Sequence, residues 1–228
     1  MYPFIYVNRM AIVMVFAALC CGLAQAQSGK QDCTLRLKSA STATGQQLAQ
    51  DLIKANPCTT VPGLDVKSLS SVWSALLTSS STGGKRFDTP PPAGTPTGKV
   101  LLGAQGLVFD LQSVFGDGVT QLQISVDDVP VFNIVNPKGP LLTLPAARLK
   151  PETVYDWVLI TRKNSYKASF RTAAPGELAD LQHQLDVLAT ATLSPSVRLL
   201  YTAAIYDDAE FYFARDQILA QLRPQIAP

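Results

Sequence analysis

The hydrophobic residues of this chain change their spacing twice along the sequence. Between residues 44 and 77 they recur at intervals of three and four, and from about 100 to 172 they alternate with polar residues. Beyond residue 174 the helical spacing returns. A helix buries one stripe of side chains and a strand buries one face, so these periods predict helix, then sheet, then helix. The chain is therefore predicted to be an α+β protein.

The first 26 residues have the three parts of a secretory signal peptide. Arg9 is the only charge, an apolar run extends from Met10 to about Leu23, and Ala24-Gln25-Ala26 forms a small-x-small cleavage site. We expect residues 1–26 to be removed, so that the mature chain begins at Gln27 in the periplasm or outside the cell. No stable membrane span is then expected in the mature protein.

Two alternatives for this segment stay open. A retained anchor would need about 18 to 20 apolar residues to cross the hydrocarbon layer, and the run after Arg9 is shorter than that. Lipid attachment at Cys20 or Cys21 would normally follow a small residue, whereas Leu19 precedes the first of these cysteines and Cys20 precedes the second. Cleavage is therefore the favoured interpretation.

Removal of the signal leaves one cysteine pair, Cys33 and Cys58, which are 25 positions apart. An oxidising compartment favours a disulfide between them, and closing a loop of that size contributes about 3 kcal/mol in the chain-entropy model. A redox-active pair would instead have the close C-x-x-C spacing. Residues 27–77 are thus predicted to be a disulfide-clamped helical segment.

Two helices are predicted inside this segment. Thr44 is the expected cap of the first, which ends before Asn56-Pro57, and Asp65 is the expected cap of the second. A unit of this size buries little surface by itself, so it must pack on another part of the protein. The apolar faces comprise Leu48, Leu52 and Ile53 in the first helix and Val66, Leu69, Val72, Trp73, Leu76 and Leu77 in the second.

Residues 78–98, TSSSTGGKRFDTPPPAGTPTG, are rich in Ser, Gly and Pro and are predicted to be a linker. Its proline half should be extended and semi-rigid, so that it holds the two sides apart. Residues 99–173 follow with six or seven short strands separated by turn residues, and this pattern indicates a β-sandwich.

The end of the strand region carries a recognisable pattern. Leu149-x-Pro151-x-Thr153-x-Tyr155-x-Trp157, followed by a hairpin into Tyr166-x-Ala168-x-Phe170-x-Thr172, resembles the tyrosine-corner and final-hairpin region of fibronectin type III and immunoglobulin-like domains. The resemblance covers about residues 100–172 and implies an immunoglobulin-like antiparallel β-sandwich that serves in adhesion, spacing or binding. Tyr155 and Trp157 are expected in its core, because they lie on the same strand face.

Residues 174–228 are predicted to form a helical subdomain. Pro175 suits a first helical turn, Ser194-Pro195 restarts a helix, and the last helix is expected to continue until Pro224. Its apolar stripe comprises Phe211, Ala214, Ile218 and Leu222.

An aromatic run, Phe211-Tyr212-Phe213, opens that last helix. Successive helical residues point about 100° apart, so one buried face does not accept all three rings. Phe211 continues the apolar stripe, which leaves Tyr212 and Phe213 as candidate partner-binding residues; burial of all three rings is the alternative. The preceding acidic residues, Asp207, Asp208 and Glu210, would cap this helix at its positive end, and a divalent cation is the other interpretation.

Composition and motif content limit the classes of function that this chain can have. A net charge of +2 with 16% charged residues gives no basis for nucleic-acid binding, and no phosphate-loop, zincin or nucleophile-elbow motif is present. His183 is the single histidine and is expected to be a solvated surface residue. No cofactor or metal is expected. We predict a non-catalytic binding or scaffolding protein with an envelope protein as partner. The alternatives are a small-ligand or glycan-binding module using Trp157 or another exposed aromatic residue as a stacking surface, and a hydrolase without a recognisable motif.

Overall fold

The computed structural model describes residues 37, 39–54, 64, 66–78 and 89–226. The predicted signal peptide, and Cys33 and Cys58 with their predicted disulfide, lie outside these residues. The described elements, in chain order, are α1 (Ala43–Lys54), α2 (Leu69–Thr78), β1 (Gly98–Val100), β2 (Leu107–Asp110), α3 (Gln112–Phe115), β3 (Val119–Val126), β4 (Val129–Val135), β5 (Leu141–Leu144), β6 (Val154–Thr161), β7 (Ser165–Thr172), α4 (Pro175–Thr190), α5 (Pro195–Asp208) and α6 (Tyr212–Ile226).

The strands form a five-stranded sheet in the order β1-β7-β6-β3-β4 and a two-stranded sheet of β2 and β5. This arrangement confirms the α+β class. The prediction of an antiparallel sheet is wrong at one edge, because β1 pairs with β7 in parallel. Only strands joined by tight turns are forced to be antiparallel, and β1 and β7 are separated by the rest of the sheet region.

One face of the large sheet packs on the two-stranded sheet. The ring of Phe109 in β2 meets Trp157 edge-on at a centroid distance of 5.8 Å and Phe170 at 6.3 Å, and Tyr155 stacks on Phe170 at 5.1 Å. The expected burial of Tyr155 and Trp157 is confirmed. We call this cluster the sheet core; its largest fully buried side chains are Phe109, Leu111, Leu122, Ile124, Leu144, Tyr155, Trp157 and Phe170.

Apolar and polar side chains alternate along β3, so that one face of the strand packs into the sheet core. Leu122 and Ile124 are completely buried, whereas Gln121 and Gln123 point to the other side. The hairpin to β4 turns at Asp127-Asp128, and both residues have positive φ, at 48° and 63°. These angles match the two-residue turns whose twist fits a hairpin, and Asp tolerates them better than most residues do.

The proline half of the predicted linker packs against the sheets. Pro92, Thr95 and Pro96 are buried, and the indole Nε1 of Trp157 donates a hydrogen bond of 2.8 Å to the Pro96 carbonyl oxygen. The amide of Asp110 donates to the Gly94 carbonyl oxygen at 3.0 Å. Residues 89–97 are therefore fixed to the sheet core, while Thr78 belongs to α2 and Gly98 to β1.

A second cluster, the helical core, is built from both ends of the described chain. It brings α1 and α2 together with α4, α5 and α6, and the hydroxyl of Thr42 before α1 donates to the carbonyl oxygen of Ile226 at 2.8 Å. The helical segments on either side of the strand region thus share one core. Its most deeply buried members include Leu52, Trp73, Leu200, Tyr201, Ile205, Phe211, Leu219 and Leu222.

Three helix boundaries differ from the sequence prediction. The second helix begins at Leu69 and not directly after Asp65, since residues 66–68 are not helical. The first helix begins at Ala43, and Thr42 rather than Thr44 caps it by accepting a hydrogen bond from the amide of Gly45. The last helix continues through Pro224 to Ile226, which is buried in the helical core. Tertiary packing therefore extends this helix beyond the residue at which proline alone would end it.

Trp157→Ala should lower the free energy of unfolding by about 3 to 5 kcal/mol, because the indole is 1% exposed and its removal also leaves the Pro96 carbonyl without its donor. Val135→Ala, on a largely exposed residue of β4, should change it by less than about 0.5 kcal/mol. Urea denaturation measures both values. Similar losses for the two variants would contradict the assignment of Trp157 to the core.

Candidate functional site

The aromatic run lies where the helical core meets the sheet core. Phe211 immediately precedes α6 and is buried in the helical core, whereas Phe213 is partly buried against the sheet core. Tyr212 lies between them and is 37% exposed, more than any other Phe, Tyr or Trp in the described part of the chain. Of the two candidate partner-binding residues, the structure presents only Tyr212 as a surface ring.

Arg215, one turn into α6, holds this region together electrostatically. Its side chain is only 3% exposed, and it forms ion pairs with Asp207 at 2.5 Å and with Asp216 at 2.7 Å. Burial by itself lowers the pKa of the guanidinium, but the hydrogen bonds to Asp207 and Asp216 outweigh burial and raise that pKa above its ordinary value. Arg215 is therefore a permanently charged residue inside the fold.

Tyr212 is held from one side by this cation. The guanidinium carbon of Arg215 lies 5.0 Å from the centre of the Tyr212 ring, which is within the range of a cation–π contact. Beside the ring is an open cavity of about 180 Å³, and its lining consists of Ser71, Asp207, Tyr212 and Arg215. The site thus combines an aromatic ring, a carboxylate, a guanidinium and a hydroxyl around a position that a small polar group can enter.

The hydrogen-bonding capacity of the Asp207 carboxylate is only partly used by its neighbours. Its Oδ1 receives the Arg215 ion pair, whereas Oδ2 lies 3.3 Å from the hydroxyl oxygen of Ser71. The same hydroxyl is 2.7 Å from the carbonyl oxygen of Ser68, and its single hydrogen favours that shorter contact. Since the Asp207 side chain is 16% exposed, Oδ2 keeps acceptor capacity at the surface.

Lys99 in β1 fixes the turn between α5 and α6. Its ammonium donates to the carbonyl oxygen of Ala209 at 2.9 Å and lies 5.0 Å from the centre of the Phe211 ring. The same nitrogen is 2.9 Å from Glu177 and 3.8 Å from Glu210. The position of the turn relative to the large sheet is thus set by one lysine.

Glu177 at the start of α4 is the centre of a second ion cluster. Its carboxylate accepts hydrogen bonds from the Ala174 amide at 2.8 Å and from the Arg171 guanidinium at 2.8 and 3.1 Å, in addition to the Lys99 contact. These donors, the Ala174 amide above all, lower the pKa of Glu177 to about 2. This carboxylate therefore links β1, β7 and α4 as an anion.

The helix-capping interpretation is wrong for Asp207 and Asp208. Asp207 and Asp208 end α5 and do not begin the next helix, so they lie at the negative end of a helix dipole. Arg215 compensates Asp207, and the backbone amide of Lys67 donates to Asp208 at 2.8 Å. Among the described residues, no group of His, Cys, Asp and Glu is arranged to hold a metal ion.

The remaining sequence candidates lie elsewhere. His183 is exposed on α4, as expected, and Trp157 is buried, which removes it as a stacking surface. Sequence reasoning missed Arg215, although the sequence contained a signal. Arg215 is four residues after Phe211 and four before Leu219, so a charge occupies the apolar stripe of a helix that follows an acidic segment.

Comparison of the sequence with protein-family models and with curated proteins found no match. The site is therefore interpreted from its own geometry. Within the residues that the structure describes, no helix combines the length and the apolar character that a membrane span requires.

Glu177→Gln should make the protein less sensitive to acid. Because the folded-state pKa of about 2 is below the ordinary value of 4.5, ionised Glu177 stabilises the fold fully above about pH 4.5, and this contribution is lost as the pH falls towards 2. The difference in melting temperature between the native chain and the variant should be largest near neutral pH and should shrink below about pH 4.5. Asp180→Asn, on the same helix but outside this cluster, is the control and should show no such convergence.

Proposed function

We propose that this chain is an exported, non-catalytic binding or scaffolding protein of the cell envelope, and that it acts through protein–protein contacts centred on Tyr212. One observation carries the proposal: a surface tyrosine is held rigidly beside an open polar cavity. Export is inferred from the predicted signal peptide, and the contact surface is inferred from the described residues.

The way in which Tyr212 is held suits a binding residue. Aromatic side chains account for much of the energy of protein interfaces, and binding is tighter when a side chain needs no ordering on association. The flanking rings of Phe211 and Phe213 are fixed in two cores, and Arg215 supports one face of the Tyr212 ring. Little conformational entropy is left for Tyr212 to lose when a partner binds.

The chemistry at the site favours binding over catalysis. The Ser71 hydroxyl contacts a carboxylate and a backbone carbonyl, and neither is the imidazole base that activates a serine nucleophile. The glycan-binding alternative named Trp157 or another exposed aromatic residue as the stacking surface; the Trp157 indole is enclosed by the sheet core, and Tyr212 is the exposed ring that remains. We favour a protein partner for this ring, because aromatic side chains account for much of the energy of protein interfaces.

We also propose that the two sheets form an immunoglobulin-like sandwich. Two features support this finer assignment. The sheets face each other across a shared core, and the amide of Lys150 donates a 2.7 Å hydrogen bond to the hydroxyl oxygen of Tyr155, which is the kind of contact a tyrosine corner makes with the backbone upstream. A module of this type would act as a rigid support for the surface that contains Tyr212.

Photo-crosslinking in the producing cell tests the proposed contact. A benzophenone amino acid placed at position 212 of the full chain should give a light-dependent adduct with a second protein. The same residue at position 178, where Leu178 is 40% exposed on α4, is the matched control and should give none. Absence of an adduct from position 212, or equal adducts from both positions, would contradict the proposal.

A further inference from the structure

We propose that the cavity beside Tyr212 receives a neutral carboxamide of the protein partner, the head of a glutamine or asparagine side chain. This inference rests on the proposed function and adds the chemistry of the contact. The cavity is lined by Ser71, Asp207, Tyr212 and Arg215. Among these residues the fold leaves one hydrogen-bond donor and one acceptor unpaired.

The unpaired donor is Nη2 of Arg215. Nη1 donates to Asp207 and Nε donates to Asp216, but Nη2 is buried and makes no hydrogen bond within the described part of the chain. Oδ1 of Asp216 lies 2.7 Å from Nη2, yet that oxygen accepts its hydrogen bond from Nε. A buried donor without an acceptor is costly, so a carbonyl oxygen that enters beside Arg215 is favoured. Because Nη2 is enclosed, we expect the Tyr212 ring, which lies against the guanidinium, to shift slightly as this oxygen enters.

The unpaired acceptor is Oδ2 of Asp207. Oδ1 of the same carboxylate is paired with Arg215, whereas Oδ2 has only the 3.3 Å contact to the Ser71 hydroxyl. That hydroxyl has a single hydrogen, and the carbonyl oxygen of Ser68 at 2.7 Å is its nearer acceptor. An entering N–H group therefore finds a carboxylate oxygen that can accept its hydrogen bond.

The charge of the lining favours a neutral group. Arg215 and Asp207 carry opposite charges and the other two lining residues are neutral, so the lining has no net charge. A second cation would be repelled by the Arg215 guanidinium. An anion would be repelled by Asp207 and Asp216, and residues 207–216 together hold four carboxylates and one cation, a net charge of −3. A neutral ligand avoids both repulsions.

A carboxamide carries both complementary groups in one planar head. Its carbonyl oxygen can accept from Nη2 of Arg215 while its N–H donates to Oδ2 of Asp207. Its flat surface can pack on the exposed part of the Tyr212 ring. A cavity of about 180 Å³ is smaller than the roughly 300 to 1,000 Å³ of pockets that enclose a whole small molecule, so the head of one side chain is the better match.

A titration with three amino-acid derivatives tests the proposal. The N-acetyl methylamides of glutamine, glutamate and methionine have side chains of similar length, and only the first ends in a neutral carboxamide. Each would be added to the full chain while NMR follows the Tyr212 ring and the Arg215 guanidinium. We expect saturable shifts with the glutamine derivative, including a downfield shift of the Nη2 protons. Binding of the other two should be at least about ten-fold weaker, because glutamate lacks the donor and methionine lacks both groups.

Two variants test the role of the donor. Arg215→Lys keeps the positive charge but removes Nη2, and it should weaken binding of the glutamine derivative by about ten-fold. Ser71→Ala is the matched control and should leave binding unchanged, since the Ser71 hydroxyl donates to Ser68. Thermal unfolding shows whether each variant is folded, and the Nη2 signals of the native chain carry the test if Arg215→Lys is not. Equal binding by the two folded variants would contradict the role of Nη2.

Three results of the titration would overturn the proposal. Tighter binding of the glutamate derivative would identify an anion site. Equal binding of the glutamine and methionine derivatives would assign the contact to their backbone amides or to apolar packing. Absence of saturable shifts would show that the cavity binds none of these groups. An adduct from position 212 together with any of these results would leave the proposed protein contact standing.

Discussion

Phe211 is buried in the helical core and Phe213, two residues later, packs partly buried against the sheet core, and the arrangement around Tyr212 depends on this anchoring. Three consecutive side chains at the start of a helix cannot point in one direction, so anchoring the outer two in opposite cores leaves the middle ring to face outward. Tyr212 is exposed because its neighbours are buried. The same anchoring attaches α6 to both the helices and the sheets.

Two ion clusters hold α6 and the turn before it in place. Arg215 ties α6 to the end of α5 through Asp207, and Lys99 ties the intervening turn to β1 through the Ala209 carbonyl. Enclosing these charges has a desolvation cost, so a buried ion pair is a weak source of net stability. The pair acts here on position, because Nη1 of Arg215 donates to Asp207 at the end of α5 and Nε donates to Asp216 within α6.

The sequence predicted those parts of the fold that depend on local periodicity. The period of two predicted the burial of Tyr155 and Trp157, and Pro175 and Ser194-Pro195 marked the beginnings of α4 and α5. The features that it did not predict depend on contacts between distant segments. The parallel pairing of β1, the single core shared by the two helical segments, and the packing of Pro96 on Trp157 have no local pattern that specifies them.

The candidate site was partly predictable for the same reason. Helical geometry showed that the three rings could not share one face and suggested Tyr212 and Phe213 as surface residues. It could not show that a second core would take Phe213, since that core belongs to strands distant in sequence. Arg215 was predictable in one respect only. Its position in the apolar stripe is visible in the sequence, but its pairing with Asp207 is visible only in the folded structure.

Because α6 attaches to both cores, we expect the two cores to unfold as one cooperative unit, and the two tryptophans of the chain report on one core each. Trp73 lies in the helical core and Trp157 in the sheet core, so Trp157→Phe and Trp73→Phe each leave one fluorescent reporter of one core. Urea unfolding of each variant would be followed by tryptophan fluorescence and by circular dichroism. We expect the two signals to give the same midpoint within each variant, as in a two-state transition. Different midpoints in either variant would show that the cores unfold separately and would contradict the anchoring of Tyr212 between them.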